Sequence, residues 1–422
     1  MVGTIMVLLD IRVFAACSAL LFTAACGQQS TTAPAASPRT IRVAQSGPAD
    51  VVGAGNAALQ KAADMLKPGD TLLIGEGTYT MEDSLFVPSG VTVRGVAGKT
   101  ILKKNAGVRT SLAEDGDYGE SALAVAEPGQ FHAGMGITIL DDVQSRGWDV
   151  SVTSVTGVKG PYLLLRPPTV RDYDFEKKNA RVTNTFPILC VMNAEKVLIE
   201  DITVDGNREE NDYLDGCRGG AIYLNTVRDV TVRNCVARNY NGDGISFQIT
   251  DGVKILNSES YGHAGFGAHP GTGSANALIT GCKLHNNDDI GLFLCWRVRH
   301  GRFEDNVIEN NGHHGISIGH KDTDNEFVNN TVTKNGVSGV WFREESVKNS
   351  GHRNTFRKNR VLDNGGAKGG YGFYIAKNVD GTVIEDNRIA DTRTAGKTQR
   401  VAIERAPGSG SVKATGNEIL KE

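Results

Sequence analysis

Short segments of alternating apolar and polar residues recur along the second half of the chain, and each begins with glycine. Six of them start at Gly220 and then 24, 23, 24, 24 and 24 residues further on, and a seventh starts at Gly372. The second and fourth residues of each segment are mostly apolar, which predicts a short β-strand with these two positions facing inward. The predicted inward pairs are Ala221/Tyr223, Ile245/Phe247, Ala268/Pro270, Leu292/Leu294, Ile316/Ile318, Val340/Phe342 and Phe373/Ile375.

A second column of residues keeps the same spacing and supports the repeat independently. Its members are small polar residues and thiols, and they are Cys235, Ser258, Cys282, Asn306, Asn330, Asn359, Asn387 and Asn417. Stacked asparagine amides can hydrogen-bond to one another at the strand spacing of ~4.8 Å, so we expect an internal ladder. We interpret the two cysteines of this column as small, buried structural thiols.

Each repeat can bury its apolar face only against the next repeat, which is typical of solenoids. The predicted fold is all-β, a single-stranded right-handed parallel β-helix. The amphipathic segment at 57–66 predicts a helix that caps the N-terminal end of the coil. Residues 107–187 break the rhythm but contain strand-like stretches such as GITIL and YLLLR, which predict a β-rich insertion. The expected organisation is a cap with first rungs over 41–106, the insertion over 107–187, and repeats over 188–422.

The N-terminus has the pattern of an export signal. Arg12 precedes an apolar stretch at 13–25 that ends at Cys26, and this stretch is shorter than the ~20 residues of a spanning helix. The segment from Thr23 to Cys26 resembles a bacterial lipobox, which makes Cys26 the candidate lipidation site; plain secretion is the alternative. The polar residues at 27–40 predict a flexible tether. The expected location is periplasmic or on the outer membrane as a lipoprotein, or else extracellular.

The composition of the chain limits which binding partners and cofactors can be expected. The chain has 51 glycines among 422 residues and a net charge of −3, without a long charge run, so no nucleic-acid partner is expected. Contact with a membrane is expected only through the lipid anchor, and a monomer is expected. The remaining cysteines form no CxxC pair, which argues against a disulfide framework or a thiolate zinc site. No cofactor is assigned; calcium stays open for His320–Asp324, although that spacing matches no EF-hand loop.

If the second and fourth positions face inward, the third and fifth face outward and align in columns from rung to rung. The third-position column is Ile222, Ser246, His269, Phe293, Ser317, Trp341 and Tyr374, and the fifth is Leu224, Gln248, Gly271, Cys295, Gly319, Arg343 and Ala376. The pairs Trp296–Arg297, His320–Lys321 and Glu344–Glu345 follow these strands directly. We call these two columns and three pairs the outward strip. Seven of the nine histidines lie between His263 and His320, where the strip runs.

This mixture of side chains suits a uronate-containing polysaccharide. Aromatic faces can stack on sugar rings, and cationic groups can bind sugar carboxylates. The predicted substrate-binding residues, including those of flanking turns, are Asp243, Gln248, Phe293, Trp296, Arg297, His314, Ser317 and Trp341. The predicted catalytic residues are His269, His320, Lys321, Arg343 and Glu344.

Simpler interpretations of the same residues also stand. An outward histidine is often only a solvated polar group. The insertion could cover Phe293 and Trp341, which would explain these outward aromatic residues without a ligand. Arg343 and Glu344 could simply form surface ion pairs, which contribute little to stability. We interpret Cys295 as an inert thiol.

The stretch from about 266 to 345 resembles the right-handed β-helix repeat family that includes the alginate (mannuronan) C5-epimerases. The similar segments are FGAHPG, IGLFLCWRVRHGRFEDN, HHGISIGHKDTDNEFVNN and TVTKNGVSGVWF. The N-terminal part, AALQKAADMLKPGDTLLIGEGTYT, is similar to the start of pectate-lyase-like β-helices. This resemblance implies the β-helix fold.

The resemblance does not extend to the catalytic groups. The epimerase signature, Tyr-Gly-Phe-Asp-Pro-His with a further Asp on the next rung, corresponds here to Phe266–Gly271 and Cys295. All four reactive groups are replaced. The clustered aspartates of the polygalacturonases are absent as well, so fold and mechanism must be argued separately.

Three function classes therefore stay open. The leading hypothesis is lyase or C5-epimerase chemistry on a uronate, which needs a base for the C5 proton and a cation at the carboxylate. A glycoside hydrolase would need two carboxylates, for which Glu344 and Glu345 with Asp243, Asp289 or Asp322 are available. The third class is a non-catalytic glycan-binding or structural β-helix.

Overall fold

Three parallel sheets extend along the described part of the chain, residues 37–367 and 369–419 of a computed structural model. The chain visits the three sheets in turn and then repeats, so each turn of the coil adds one strand to each sheet. The predicted parallel β-helix is therefore confirmed. The predicted export signal, Cys26 and the tether up to residue 36 lie outside the described residues. Within the described ranges, no helix is long and apolar enough to cross a membrane.

Sheet A has thirteen strands and sheet B has eleven. The strands of sheet A, in chain order, are Thr40–Ala44, Val51–Val52, Thr71–Ile74, Thr92–Arg94, Leu198–Glu200, Thr231–Arg233, Lys254–Leu256, Leu278–Thr280, Arg302–Glu304, Glu326–Val328, Thr355–Arg357, Thr382–Glu385 and Val412–Thr415. Those of sheet B are Gly77–Met81, Thr100–Lys104, Thr203–Asp205, Val236–Arg238, Glu259–Tyr261, Lys283–His285, Val307–Glu309, Thr331–Thr333, Arg360–Leu362, Arg388–Ala390 and Glu418–Ile419.

Sheet C has ten strands and contains the glycine-led segments of the repeat. Its strands are Leu85–Phe86, Leu189–Met192, Ile222–Asn225, Ile245–Gln248, Ala268–Pro270, Leu292–Phe293, His314–Ile318, Ser338–Phe342, Tyr371–Ile375 and Val401–Arg405. The α-helices are Asn56–Ala63 and Phe175–Lys178, and short 3-10 turns occur at Pro128–Gln130, Gly147–Asp149, Arg208–Glu210 and Val347–Asn349.

A separate antiparallel sheet, sheet D, occupies the stretch in which the repeat is interrupted. Its six strands are Arg109–Ser111, Ala122–Ala124, Gly136–Leu140, Ser151–Lys159, Tyr162–Arg166 and Arg181–Thr183. Sheet D has its own apolar cluster, distinct from the core inside the coil. It contacts the coil through Leu140, which belongs to the apolar cluster of the coil, and through polar groups: the Ser154 hydroxyl donates to Asp83 over 2.5 Å, and the Gly136 N–H donates to the Glu82 carbonyl over 2.8 Å.

The helix Asn56–Ala63 lies beside the first rungs. Leu59, Ala62 and Ala63 are buried and belong to the same apolar cluster as Leu72 of sheet A. The helix predicted by the amphipathic pattern is present, while its role as a cap, and the division of the chain into domains, stay predictions.

Side-chain amides hold successive rungs in register. The side chain of Asn330 accepts from both the backbone and the side-chain N–H of Asn306, at 3.0 and 2.9 Å, and donates to Asn359 and to the Phe303 carbonyl. The same pattern continues to Asn417. The predicted ladder is confirmed, and Cys235 and Cys282 are buried in it; burial raises the pKa of their thiols to about 12 and about 11.

A second ladder lies at another corner of the coil and was not predicted. It begins at His263, whose backbone N–H donates to the Asn287 side chain, and continues through Asn311, Asn335 and Asn364 to Gln399. The His263 ring takes the place of an amide. Its Nδ1 accepts from the Tyr240 N–H at 3.1 Å, and its Nε2 lies 3.2 Å from the Ala237 carbonyl.

The predicted register is correct from the second glycine-led strand onward but is shifted by one residue on the first. Ile222 pairs with Ile245 and Leu224 with Phe247, so the repeat there spans 23 residues rather than 24. The inward residues are thus Ile222 and Leu224, not Ala221 and Tyr223. The physical reason is that Ala221 occupies the place of the leading glycine, because Gly219 and Gly220 both precede it. A slip of one residue exchanges the two faces of a strand, so Tyr223 and Asn225 belong to the outward columns.

Replacing one ladder amide should destabilise the coil strongly. Asn330→Ala leaves the buried N–H groups of Asn306 and the Phe303 carbonyl without their partner, so we expect a loss of about 2–5 kcal/mol of unfolding free energy. Asn417→Ala is the matched control, because it removes the last, only partly buried ladder residue, where water can replace the lost bonds. Denaturant titration measures both. Equal losses for the two variants would contradict the proposed stabilising role of the ladder.

His263 should make the coil sensitive to acid. Burial lowers the pKa of His263 from 6.5 to about 3. The folded state therefore resists protonation, and its stability is complete above pH 6.5 and falls as the pH drops toward 3, by about 1.4 kcal/mol per pH unit. His263→Asn removes this term. Between pH 7 and pH 5 the unfolding free energy of the variant should gain about 2 kcal/mol relative to the wild type. His132→Asn, at an exposed histidine, is the control and should show no such relative gain.

Candidate functional site

A segment of the chain covers part of the outward face of sheet C. Residues 212–219, which we call the covering segment, cross the strands that contain Ser246 and His269. The carbonyl of Gly216 accepts from the Ser246 hydroxyl at 2.6 Å and from the Gln248 amide at 3.3 Å. Three outward-facing residues, Ser246, Gln248 and His269, are therefore buried although they do not belong to the core of the coil.

Gly216 is the point of closest approach. A Cβ atom built on it would lie 1.7 Å from Asp243 Oδ2 and 2.5 Å from His269 Nδ1. Only a residue without a side chain lets the backbone lie directly on this carboxylate–imidazole pair.

The pair beneath the covering segment is held tightly. His269 Nδ1 lies 2.6 Å from Asp243 Oδ2, and the other carboxylate oxygen accepts from the Phe266 N–H at 2.9 Å. Burial by itself lowers the pKa of His269, but the hydrogen bond and charge of Asp243, with a further contribution from the nearby Cys295 thiol, outweigh it and raise that pKa to about 10. The second ring nitrogen, Nε2, is buried and has no hydrogen-bond partner among the described residues.

Three predicted substrate-binding residues are not accessible to a ligand as they lie. Asp243 and Gln248 are 0% exposed under the covering segment, and Ser317 is 1% exposed and accepts from Arg343 at 2.8 Å. A ligand on the open face does not reach these three side chains as they lie, and their role in substrate binding stays a prediction. Asp243 orients His269, and Ser317 orients Arg343.

Beyond the covering segment the outward strip is open and lined by stacked rings. Trp341 stacks on Tyr374 at 4.0 Å between ring centroids and on His314 at 4.9 Å. Trp296 is 51% exposed and stacks on His320 at 4.8 Å. These rings form two flat platforms, each of which runs across successive rungs.

Arg343 is committed to its own neighbours. Its guanidinium donates to the Leu294 carbonyl at 2.6 Å, to Ser317, and to the buried Asp322 at 3.3 Å, and it lies 4.5 Å from the centre of the Phe293 ring. This side chain connects three successive rungs. Because its guanidinium donors already bind protein groups, fewer of them are available for a substrate carboxylate, the role predicted from the sequence.

His320 is oriented by a carboxylate. Its Nδ1 lies 3.4 Å from Glu345 Oε2, and the carbonyl of Glu345 accepts from the Asn378 amide at 2.8 Å. Lys321 follows His320 and is exposed, whereas Glu344 forms an ion pair with Lys377 at the surface. The imidazole therefore has one nitrogen facing a carboxylate and lies beside an exposed cation.

The segment His320–Asp324 does not offer a calcium site in this arrangement. Asp322 accepts from the backbone N–H groups of Val298 and Gly319, and Asp324 pairs with Arg353 at 2.6 Å. No cluster of three or more His, Cys, Asp or Glu with metal-binding geometry occurs among residues 37–367 and 369–419.

A cavity of about 270 Å³ lies on the same side of the first rungs, against sheet D. Phe86, Trp148 and Tyr223 line it together with Arg218 and Asp83. Burial raises the pKa of Asp83 to about 6. Sequence reasoning missed this cavity because its walls come from regions far apart in the chain, and missed Tyr223 because of the register error.

Adding a methyl group at Gly216 should open the covered pair. Gly216→Ala forces the backbone away from Asp243, and we expect a loss of about 1–3 kcal/mol of stability, typical of overpacking. Exposure of the His269 region should also rise, as hydrogen exchange of residues 212–219 would show. Gly129→Ala is the control, because nothing lies within 4 Å of its added Cβ. An unchanged exchange pattern in Gly216→Ala would contradict the close contact.

Comparison with known proteins supports the architecture. A family model for the right-handed β-helix region matches residues 188–356. Comparison with curated proteins finds no match. Solved structures that are similar include the Dettilon tailspike protein, with 13% identity over 86% of this chain and 62% of that chain and a TM-score of 0.55. Pectate lyase Pel9A is similar at 13% identity, over 90% of this chain and 81% of that one, with a TM-score of 0.54.

A protein of Geobacillus virus E2, ORF18, is also similar, with 11% identity over 86% of this chain and 57% of that chain and a TM-score of 0.52. The chain thus spans about three fifths of the length of these two viral proteins. At such identities the likeness concerns the fold alone. The stacked parallel sheets, the family model over residues 188–356 and these neighbours agree, and the chain has the right-handed parallel β-helix fold.

Proposed function

We propose that this protein binds a uronate-containing polysaccharide along the open part of the outward strip and acts at C5 of a uronate by lyase or epimerase chemistry. The observation that carries the proposal is the His320–Glu345 pair, stacked on exposed Trp296 and followed by exposed Lys321.

The ring platforms support binding of a sugar chain. Trp296 and the Trp341–Tyr374 stack lie on separate rungs of sheet C and the turns that follow them, so one extended ligand can contact both. Flat aromatic faces bury large apolar area at low entropic cost. The polar groups between the rings supply hydrogen bonds to hydroxyls.

The base and the cation are assigned to neighbouring residues. Glu345 accepts from Nδ1 of His320, which leaves Nε2 as the base that takes the C5 proton. Lys321 and Arg297 then stabilise the charge that develops on the uronate carboxylate. Arg343 serves this site indirectly, because its bonds to Leu294 and Asp322 fix the backbone of the strip.

The glycoside-hydrolase alternative receives less support. Glu344 is paired with Lys377 and Glu345 with His320, and Asp322 is fully buried. The low-identity neighbours include a pectate lyase, which agrees with the proposed substrate class without establishing it. Export, which would bring the protein to such polymers, stays a prediction from residues 13–26.

Removing the base should separate catalysis from binding. His320→Gln should lower kcat on the accepted polyuronate by about 10²–10⁴-fold with little change in KM, because a positioned general base contributes that much. Trp296→Ala should instead raise KM about tenfold, since it removes the stacking surface. The control is His132→Gln, at an exposed histidine of the insertion.

The measurement is an activity screen of the full chain on polymannuronate, polyguluronate and polygalacturonate. Ultraviolet absorbance reports the unsaturated product of a lyase, and proton NMR of the recovered polymer reports epimerisation. Reducing ends without absorbance would replace the proposal by a hydrolase. No change in any of these readouts, with binding retained and lost in Trp296→Ala, would favour a glycan-binding protein.

A further inference from the structure

The covered pair continues to a third reactive group. Asp243 contacts Nδ1 of His269 at 2.6 Å, so Nε2 is the ring nitrogen left to face another group. Cys295 lies on the next rung, where it pairs with Gly271, two residues beyond His269 and on the same outward face. The thiol also contributes to the raised pKa of the imidazole. Along successive rungs, the carboxylate of Asp243 is followed by the imidazole of His269 and then by the thiol of Cys295.

A purely structural role does not account for this histidine. His263, which is equally buried, has both ring nitrogens within hydrogen-bond distance of backbone groups. His269 is 2% exposed, yet its Nε2 has no partner among the described residues. An unpaired buried polar atom destabilises the folded state. Gln248 Oε1, which also lies beside Gly271, is a second such atom. Two unpaired buried polar atoms beside one thiol indicate a site that a polar ligand completes.

Cys295 differs from the other cysteines in its surroundings. Cys190, Cys235 and Cys282 are buried, and burial raises the pKa of each thiol. Cys217, in the covering segment, is partly exposed like Cys295, but burial and the charge of Asp215 raise its pKa. Cys295 is the partly exposed thiol that lies beside a histidine oriented by a carboxylate.

The backbone after Cys295 is also unusual. Trp296 and Arg297 both adopt the left-handed conformation, with φ of 69° and 70°. Bulky residues rarely do so, and such backbone clusters at functional sites. The amide N–H of Trp296 has no acceptor among the described residues. An N–H directly after a nucleophile is the donor that commonly stabilises an oxyanion.

We propose that Asp243, His269 and Cys295 form a nucleophilic triad that removes O-acyl groups from sugar hydroxyls of the polysaccharide bound on the outward strip. The arrangement of roles is that of the known acyl-transfer triads, which are recognised by geometry rather than by sequence position. The choice of a polysaccharide ester rests on the proposed function, whereas the triad itself does not.

The reaction balances with water as the only co-reactant. The Cys295 thiolate attacks the acyl carbonyl carbon, a C–S bond forms, and the carbonyl electron pair moves to oxygen near the Trp296 N–H. The ester C–O bond then breaks, and the sugar oxygen takes the proton from Nε2 of His269. Neutral His269 next takes a proton from water, and the hydroxide adds to the thioester. Cleavage of the C–S bond restores the thiolate and releases the carboxylic acid.

The first test compares the two partly exposed cysteines in the full chain, with p-nitrophenyl acetate as the probe. Cys295→Ala should lower the rate of acetate release at least 100-fold, while Cys217→Ala should stay within twofold of the wild type. Thermal unfolding by circular dichroism checks that both variants fold. Equal rates for wild type and Cys295→Ala would overturn the triad.

A second measurement compares the reactivity of the two thiols in protein that keeps Cys295. Iodoacetamide at pH 6, followed by mass spectrometry of peptides, should label Cys295 at least tenfold faster than Cys217. Asp243→Asn should shift the pH profile of Cys295 labelling to higher pH, which a merely structural role of Asp243 would not do. Equal labelling of the two cysteines, or an unmoved profile, would contradict the proposal.

The polysaccharide substrate is tested separately with O-acetylated polymannuronate. Acetate release that is lost in Cys295→Ala but kept in His132→Gln, at an exposed histidine outside the strip, supports the triad. Hydrolysis of p-nitrophenyl acetate without acetate release from the polymer would overturn the polysaccharide assignment. The uronate chemistry proposed for His320 is tested by the activity screen described above. A failure of the polysaccharide-ester assignment can therefore be distinguished from a failure of the proposed function.

Discussion

Residue-by-residue pairing between successive rungs is the constraint on which the rest of the molecule depends. Each strand of sheet C bonds to the next in parallel register, so a side chain on one rung lies one strand spacing from its equivalent on the next. Columns of like position follow automatically. The stacked aromatic platforms, the amide ladders and the line from Asp243 through His269 to Cys295 are all consequences of this register.

The ladders explain how the register is kept. A β-strand of three residues has few bonds of its own, and a slip of one residue would turn its apolar side chains toward solvent. Buried amides such as Asn330 accept from the rung on one side and donate to the rung on the other, so each is satisfied only in a single alignment. The imidazole of His263 occupies the equivalent position in the second ladder. Protonation of this ring should therefore destabilise its rung.

The covering segment then divides one continuous face into two chemical environments. Under it, desolvation strengthens the contact between His269 and Asp243. Beyond it, Trp296 lies open to solvent and stacks on the partly exposed ring of His320. The same outward columns therefore contain a shielded imidazole beside a buried carboxylate and a more open surface of stacked rings. Gly216 sets the boundary, because only a glycine fits against the buried pair.

Much of this architecture follows from local pattern alone. The 24-residue spacing predicted the coil, the inward pairs from Ile245 onward and the ladder through Asn330, because each rung repeats the same short-range geometry. The register of the first glycine-led strand was predicted one residue out, because Gly219 and Gly220 are adjacent and the sequence does not show where the strand starts. Asp243, Gln248 and Ser317 were assigned to a ligand because alternation predicts which way a side chain points, not what covers it.

The sequence by itself determined the coil, the direction of each side chain on most rungs and the residues that the outward face presents. Tertiary structure alone decided which of those residues are buried, that Arg343 is anchored, and that Asp243 orients His269 beneath the covering segment. The physical reason is the range of the interactions. Periodic strand geometry is local and repeats along the chain, whereas the path of residues 212–219 and of sheet D depends on contacts between segments far apart in sequence.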